Sequence, residues 1–301
     1  MRAKRMTGGR GANEREAEGR QRRTGGMNGL GGAGSGGTAG IEEETAAAAD
    51  RATGARAGRE ALGTVLADLE AVFDDLDALA RTMAGLDDAS LDDLARLAPP
   101  ICELLEARRG LVAGAGLITA PDFLRDAPRW LEWWWTPGAG APQRLRINLD
   151  PAAPDFYDYT TAEWYASPRH SGARSVAGPY VDYACTGEYA VTLSTPVVRG
   201  ADFLGVAAAD VLVSSLEGRV LPALLAVGRP VALTNSHGRV IASNSPHVAP
   251  GLRVDVAGHS STPAVTVDRT ATGDIGGDSG SEDGGSPLRS WLLVDVAADA
   301  G

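Results

Sequence analysis

Residues 178–213 read GPYVDYACTGEYAVTLSTPVVRGADFLGVAAADVLV. Within them EYAVTLSTPVV and DFLGVAAADVLV are strand-like runs of β-branched and small apolar residues, joined by RGAD, a Gly-containing hairpin-type turn. They read as two adjacent antiparallel strands, with Ser175–Tyr180 approaching as the strand before them. Just upstream, YDYTTAEWY (Tyr157–Tyr165) adds a cluster of aromatic rings. Asp182 and Asp210 fall near apolar strand ends. If they face each other they repel, and one tends to hold a proton. A bound cation removes that conflict. Tyr157, Trp164, Tyr165 and Tyr180 offer ring faces worth ~0.5–2 kcal/mol each to a cation. The bland alternative is that the two aspartates cap turns and the rings are core.

Downstream, SSLEGRVLPALLA reads as a helix and PVALTNSHGRVIASN as a second hairpin with its turn at SHGR. Residues 269–287 are acidic, Gly/Ser-rich and of low complexity, which predicts disorder or a long surface loop. Ser290–Ala298 returns as a strand, with Trp291, Leu293 and Val296 available to pack, and is expected to add to the sheet.

Upstream, Gly110–Thr119 (GLVAGAGLIT) reads as a buried strand. The next segment, DAPRWLEWWW, holds Trp130, Trp133, Trp134 and Trp135, either a ligand-stacking wall or core packing with the indole N–H groups satisfied locally. Arg144–Asp150 (RLRINLD) alternates like a strand, and PAAPDFYDYT is an extended loop or short helix. Helix is predicted from Ile41 to Arg81. Leu62, Val65, Leu66, Leu69, Val72, Phe73, Leu76 and Leu79 make its apolar stripe, and Asp68, Glu70, Asp74 and Asp75 its wet face. A second helix is capped by Ser90, carries Asp92 and Asp93 in its first turn, is interrupted or kinked by Pro99 and Pro100, and ends at Gly110.

The division that follows is a disordered Gly/Arg-rich tail over 1–40, a folded domain over 41–268, a disordered acidic loop over 269–287 and a C-terminal strand over 288–298. The tail has almost no large apolar side chains with which to offset ordering. It is a solvated tail, a basic arm, or sequence upstream of a true start at Met27. The fold class is α+β: a long N-terminal helix plus an antiparallel sheet.

A formal net charge of −11 argues against a nucleic-acid partner. No run approaches the ~18–20 apolar residues that span a bilayer. Thr24-Gly25-Gly26 follows the Arg22-Arg23 pair where an export signal needs an apolar segment. Cys102 and Cys185 read as free thiols in a reducing compartment. Together these predict a cytoplasmic protein without a membrane segment.

The order of elements, with VAGAGLITAPDFL, DYTTAEWY, GPYVDY, VTLSTPVV, GVAAADVLV and ALTNSHGRVIASN, resembles a Cache domain. That is the PAS-like, PDC-type sensor module of bacterial chemoreceptors and histidine kinases. The resemblance is to its amino-acid and amine-binding double-Cache branch, and covers roughly Leu62–Asp255. It implies ligand contacts at Tyr157, Trp164, Tyr165, Tyr180, Asp182 and Asp210. The branch's carboxylate-binding arginine falls on Ala162, a departure that favours amine over amino acid. Arg169 and Arg174, which follow the Trp164-Tyr165 pair, are the candidates to replace it. The resemblance also implies dimerisation through the helix from Ile41.

Catalytic signals are poor. His170, His237, His247 and His259 lack metal spacing, no nucleophile elbow surrounds Ser171, and no metal or cofactor is expected. The function expected is a stand-alone sensor of a small amine or amino-acid-like metabolite that signals through a separate regulator or transporter protein. The alternatives are an enzyme using the same pocket, with Asp182 and Asp210 as an acid–base pair, or a degenerate sensor fold that only contacts proteins.

Overall fold

The computed structural model describes residues 36–184, 186–257, 261–263 and 286–296. Most of the Gly/Arg-rich tail and of the acidic Gly/Ser stretch, together with Cys185 and His259, lies outside these. Helix α1 (Gly36–Ala84) starts five residues before the expected Ile41. Its whole predicted stripe, Leu62 to Leu79, is buried. The acidic face is less wet than its sequence implies. Arg174 pairs with Glu70, Asp74 and Asp77, Arg108 with Asp75, and Arg219 with Asp68. Those carboxylates tie α1 to the elements beside it.

Ser90 caps helix α2 (Leu91–Ala95) in a capping box with Asp93. Pro99 and Pro100 do not kink that helix. They open a new one, α3 (Ala98–Ala107), in the first turn, where a missing N–H costs nothing.

The main sheet contains β1 (Val112–Thr119), β2 (Leu131–Trp135), β3 (Gln143–Arg144), β4 (Ser175–Val181), β5 (Tyr189–Arg199) and β6 (Asp202–Leu212). Its order is β3-β2-β1-β6-β5-β4, antiparallel throughout. Alternation splits its side chains cleanly between two faces. Ala115, Leu117, Val191, Leu193, Ala207 and Ala209 join the helix-covered core. Ile118, Trp133, Ala177, Val206 and Ala208 form a second cluster with Tyr159, Trp164 and Tyr165. The strand expected over Arg144–Asp150 is cut short. After Leu145 donates to the Trp133 carbonyl, the Asn148 and Asp150 side chains each accept an N–H two residues on and turn the chain away.

Helix α5 (Val213–Ala226) follows β6 and buries Val213, Leu216, Val220, Ala223 and Leu224. It lies close against α1. A Cβ on Gly58 would sit 2.5 Å from the Ala223 carbonyl oxygen, and one on Gly54 would be 2.6 Å from that of Ala226. Gly58→Val is therefore expected to cost about 1–3 kcal/mol by overpacking. A lowered urea midpoint with an unchanged slope is the check.

The C-terminal segment does not extend the main sheet. Strands β7 (Val231–Thr234), β8 (Val240–Ser243), β9 (Ser261–Pro263) and β10 (Leu292–Asp295) make a second sheet in the order β8-β7-β10-β9. The β7–β8 hairpin leaves one edge of β7 open, and β10 fills it. Trp291 and Leu293 face the main core, while Val294 and Val296 pack with Ala232 and Val240.

Candidate functional site

Two bulges aim the side chains that matter. On β6 the pairing passes from Val198↔Phe203 to Val197↔Gly205, so Leu204 is an extra residue. That shift brings Asp210 opposite Thr192 and puts both on the face away from α1 and α5. Gly205 is required there. Its φ is +146°, and a Cβ would lie 2.1 Å from the Ile118 carbonyl oxygen. On β4 the pairing passes from Ala177↔Thr192 to Tyr180↔Ala190, three residues against two. The extra residue turns Tyr180 onto the same face as Ala177. Gly178 at φ +108° makes that bulge, with the Ala190 carbonyl 2.7 Å from where its Cβ would be.

On the same face, Gly114 and Gly116 of β1 leave room for an indole. Trp133, paired with Gly116, lays its ring over Gly114, whose added Cβ would be 2.9 Å from Trp133 Nε1. Gly114 is itself the partner of Asp210. Trp133 thus reaches across β1 towards the carboxylate.

These residues enclose a cavity of about 350 Å³, open mouth included, lined by Leu131, Trp133, Leu145, Tyr157, Trp164, Tyr180, Asp182, Ala184, Thr192 and Asp210. Five of the six expected site residues meet here. Tyr165 does not. It is fully buried next door, edge-on to Tyr159, Trp164 and Phe203. Trp133 and Thr192 are additions. A polar Thr192 on the inner face of a β-branched strand was the available sign, but only the bulged register shows that it meets Asp210.

Asp182 caps a turn and also lines the cavity. Its carboxylate accepts from the Ala184 and Thr186 N–H groups and from Thr186 Oγ1, in the loop after β4. Asp210 is 5% exposed and accepts a 2.6 Å hydrogen bond from Thr192 Oγ1, which lies 2.5 Å from the Tyr180 hydroxyl. Burial pushes the Asp210 carboxyl up to about 7; Thr192 opposes the shift and the nearby Asp182 adds to it. Burial, then Asp182 and Asp210, pushes the Tyr157 phenol up to about 12. Tyr180 is raised by burial and by the same two carboxylates. The rings stay neutral in a negative field.

No cationic side chain lines the cavity among the described residues. Ala162 is the N-cap of helix α4 (Glu163–Ser171), packed against the aromatic cluster. Arg169 is exposed at the far end of that helix. Arg174 is held by the acidic face of α1 and lies over the Phe73 ring. Neither replaces the missing arginine. The other tryptophans divide by alternation. Trp130 and Trp134 donate their indole N–H groups to the buried Glu132, which also takes Arg144. They are packing, not cavity wall.

Residues 144–218 match the family model described as methyl-accepting chemotaxis protein-like, first PDC sensor domain. The fold is that of PDC-type Cache sensor domains. The matched span holds Tyr157, Trp164, Tyr180, Asp182, Thr192 and Asp210, while Leu131 and Trp133 precede it. Among solved structures, the chain is similar to the extracellular domain of soHK1S-Z6, a protein named as a histidine kinase. The TM-score is 0.53 at 18% identity, over 67% of this chain and 72% of that one. It is also similar to the ligand-binding domain of the Campylobacter jejuni chemoreceptor Tlp3 in complex with L-valine. There the TM-score is 0.50 at 14% identity, over 72% and 79%. At such identities the likeness is one of fold. No curated protein matches the sequence. Among the described residues no helix is long and apolar enough to cross a membrane.

Proposed function

We propose that this Cache domain senses a small organic amine, held as a cation between Asp182 and Asp210 and against the rings of Tyr157, Tyr180, Trp133 and Trp164. The observation that carries this reading is a cavity lined by two carboxylates and no described cation. A ligand carboxylate would face Asp182 and Asp210 without a partner, a costly arrangement in a buried site. The Tlp3 structure holds L-valine, an amino acid; the sequence resemblance puts Ala162 at the position of the arginine that would receive such a carboxylate. An ammonium gains from both acids, and each ring adds ~0.5–2 kcal/mol.

The remaining parts of the reading are a separate regulator or transporter protein as the output and a dimer through α1. A cytoplasmic location belongs to it too. Cell fractionation decides that last point.

A thermal-shift panel of amines and amino acids tests the ligand class. Amines are expected to raise the melting temperature in proportion to the logarithm of their concentration above Kd. Stabilisation by neither class, or stabilisation that persists in Asp210→Ala, contradicts the proposal.

A further inference from the structure

The bulge that aims Tyr180 is held from outside its own sheet. Asn235 ends the β7 side of the second sheet's hairpin, and its Nδ2 donates a 2.8 Å hydrogen bond to the Gly178 carbonyl. Its Oδ1 accepts from the His237 and Arg239 N–H groups at 3.0 Å each, closing the β7–β8 turn. All three partners are backbone groups of fixed polarity, so the amide has one orientation. Gly178 is the φ +108° residue of the bulge, and its position lies 3.2 Å, measured from an added Cβ, from the Tyr180 ring. One side chain thus spans from the turn of the second sheet to the backbone that sets the Tyr180 ring.

We propose that Asn235 is a positioning residue for the cavity. Through the Gly178 carbonyl it holds the β4 bulge that presents Tyr180, and by the same bond it couples cavity occupancy to the second sheet. The coupling half rests on the amine-binding reading; the positioning half does not. Reciprocity requires that, if the bond helps seat Tyr180 for a ligand, a ligand on Tyr180 strengthens the bond.

Asn235→Asp separates the two uses of the side chain. The carboxylate still accepts from His237 and Arg239 but has no donor for Gly178. Asn235→Ser, too short to reach Gly178 yet able to accept within the turn, controls for repulsion between the carboxylate and the carbonyl. Hydrogen exchange on unliganded protein is the first readout. Both variants are expected to speed exchange over 177–181 about tenfold, the worth of one hydrogen bond, while 237–240 stays protected. Unchanged exchange over 177–181 overturns the proposal without any ligand.

The second readout uses choline as the probe. Asn235→Asp is expected to weaken choline binding several-fold in the wild-type background and to have no effect in Tyr180→Ala. Equal effects in both backgrounds overturn positioning through Tyr180. Choline is also expected to slow exchange over 231–243 in the wild type but not in Asn235→Asp, and slowing in both overturns the coupling. If no amine binds the wild type, the binding reading fails, and exchange over 177–181 still decides the positioning role.

Discussion

Asp210→Asn is expected to weaken cation binding at least thirtyfold and, in the same protein, to raise the melting temperature of the unliganded domain above pH 7. Both effects have one source. Asp210 is buried, takes one hydrogen bond from Thr192 and has its carboxyl pushed up to about 7. A carboxyl whose folded pKa lies above its unfolded value binds protons more tightly when folded. Its stabilising contribution is complete below the unfolded value near 4 and is lost as pH rises through about 7. The ionised Asp210 then costs the empty domain up to roughly 4 kcal/mol. Asparagine is close in shape, still accepts from Thr192 and carries no charge. The melting temperatures of the two proteins should therefore coincide below about pH 4, draw apart as pH rises to about 7, and differ by several degrees at pH 8, with the variant higher. Removing the buried partner of a bound cation should cost about 2–5 kcal/mol, thirtyfold or more in Kd. A variant less stable than wild type at pH 8 would show Asp210 to be structural instead.

The second large effect is the pH dependence of affinity. A permanent cation such as choline does not itself titrate, so any pH dependence belongs to the protein. Below about pH 7 the cation must displace the Asp210 proton, and its affinity should fall about tenfold per pH unit. Above about pH 7 the affinity should level off. Binding at pH 6 should release close to one proton, which calorimetry in buffers of different ionisation enthalpy measures directly. The dependence should be flat in Asp210→Asn. Affinity that rises as pH falls would mean that the cation does not meet this carboxylate.

The elements of this fold are legible in the sequence wherever one rule dominates. The α1 stripe needs only helical period, and the β5–β6 hairpin needs only its turn and flanking strands. The aromatic and acidic residues of the cavity also stand out, because rings and carboxylates near strand ends call for a use. Features set by register do not stand out. That Thr192 meets Asp210 depends on the extra Leu204, and that Tyr180 faces inward depends on the bulge at Gly178. Trp133 cannot be told from Trp134 by composition. It lines the cavity because alternation points it over Gly114 and Gly116, while Trp134 meets Glu132. Tyr165 misled for the same reason: it adjoins Trp164 in sequence, but one step along α4 turns it into the core. The destination of β10 depends on an open edge of β7, which no local pattern announces.

This cavity is expected to take an amine and refuse the matching amino acid. Calorimetric titration of the domain with an amine and its α-carboxylated counterpart, isobutylamine against L-valine, isolates that carboxylate. The expected result is measurable binding of the amine, binding of L-valine at least tenfold weaker, and loss of the amine signal in Asp210→Asn. L-Valine binding as tightly as the amine, in the wild type and in Asp210→Asn alike, would contradict the account.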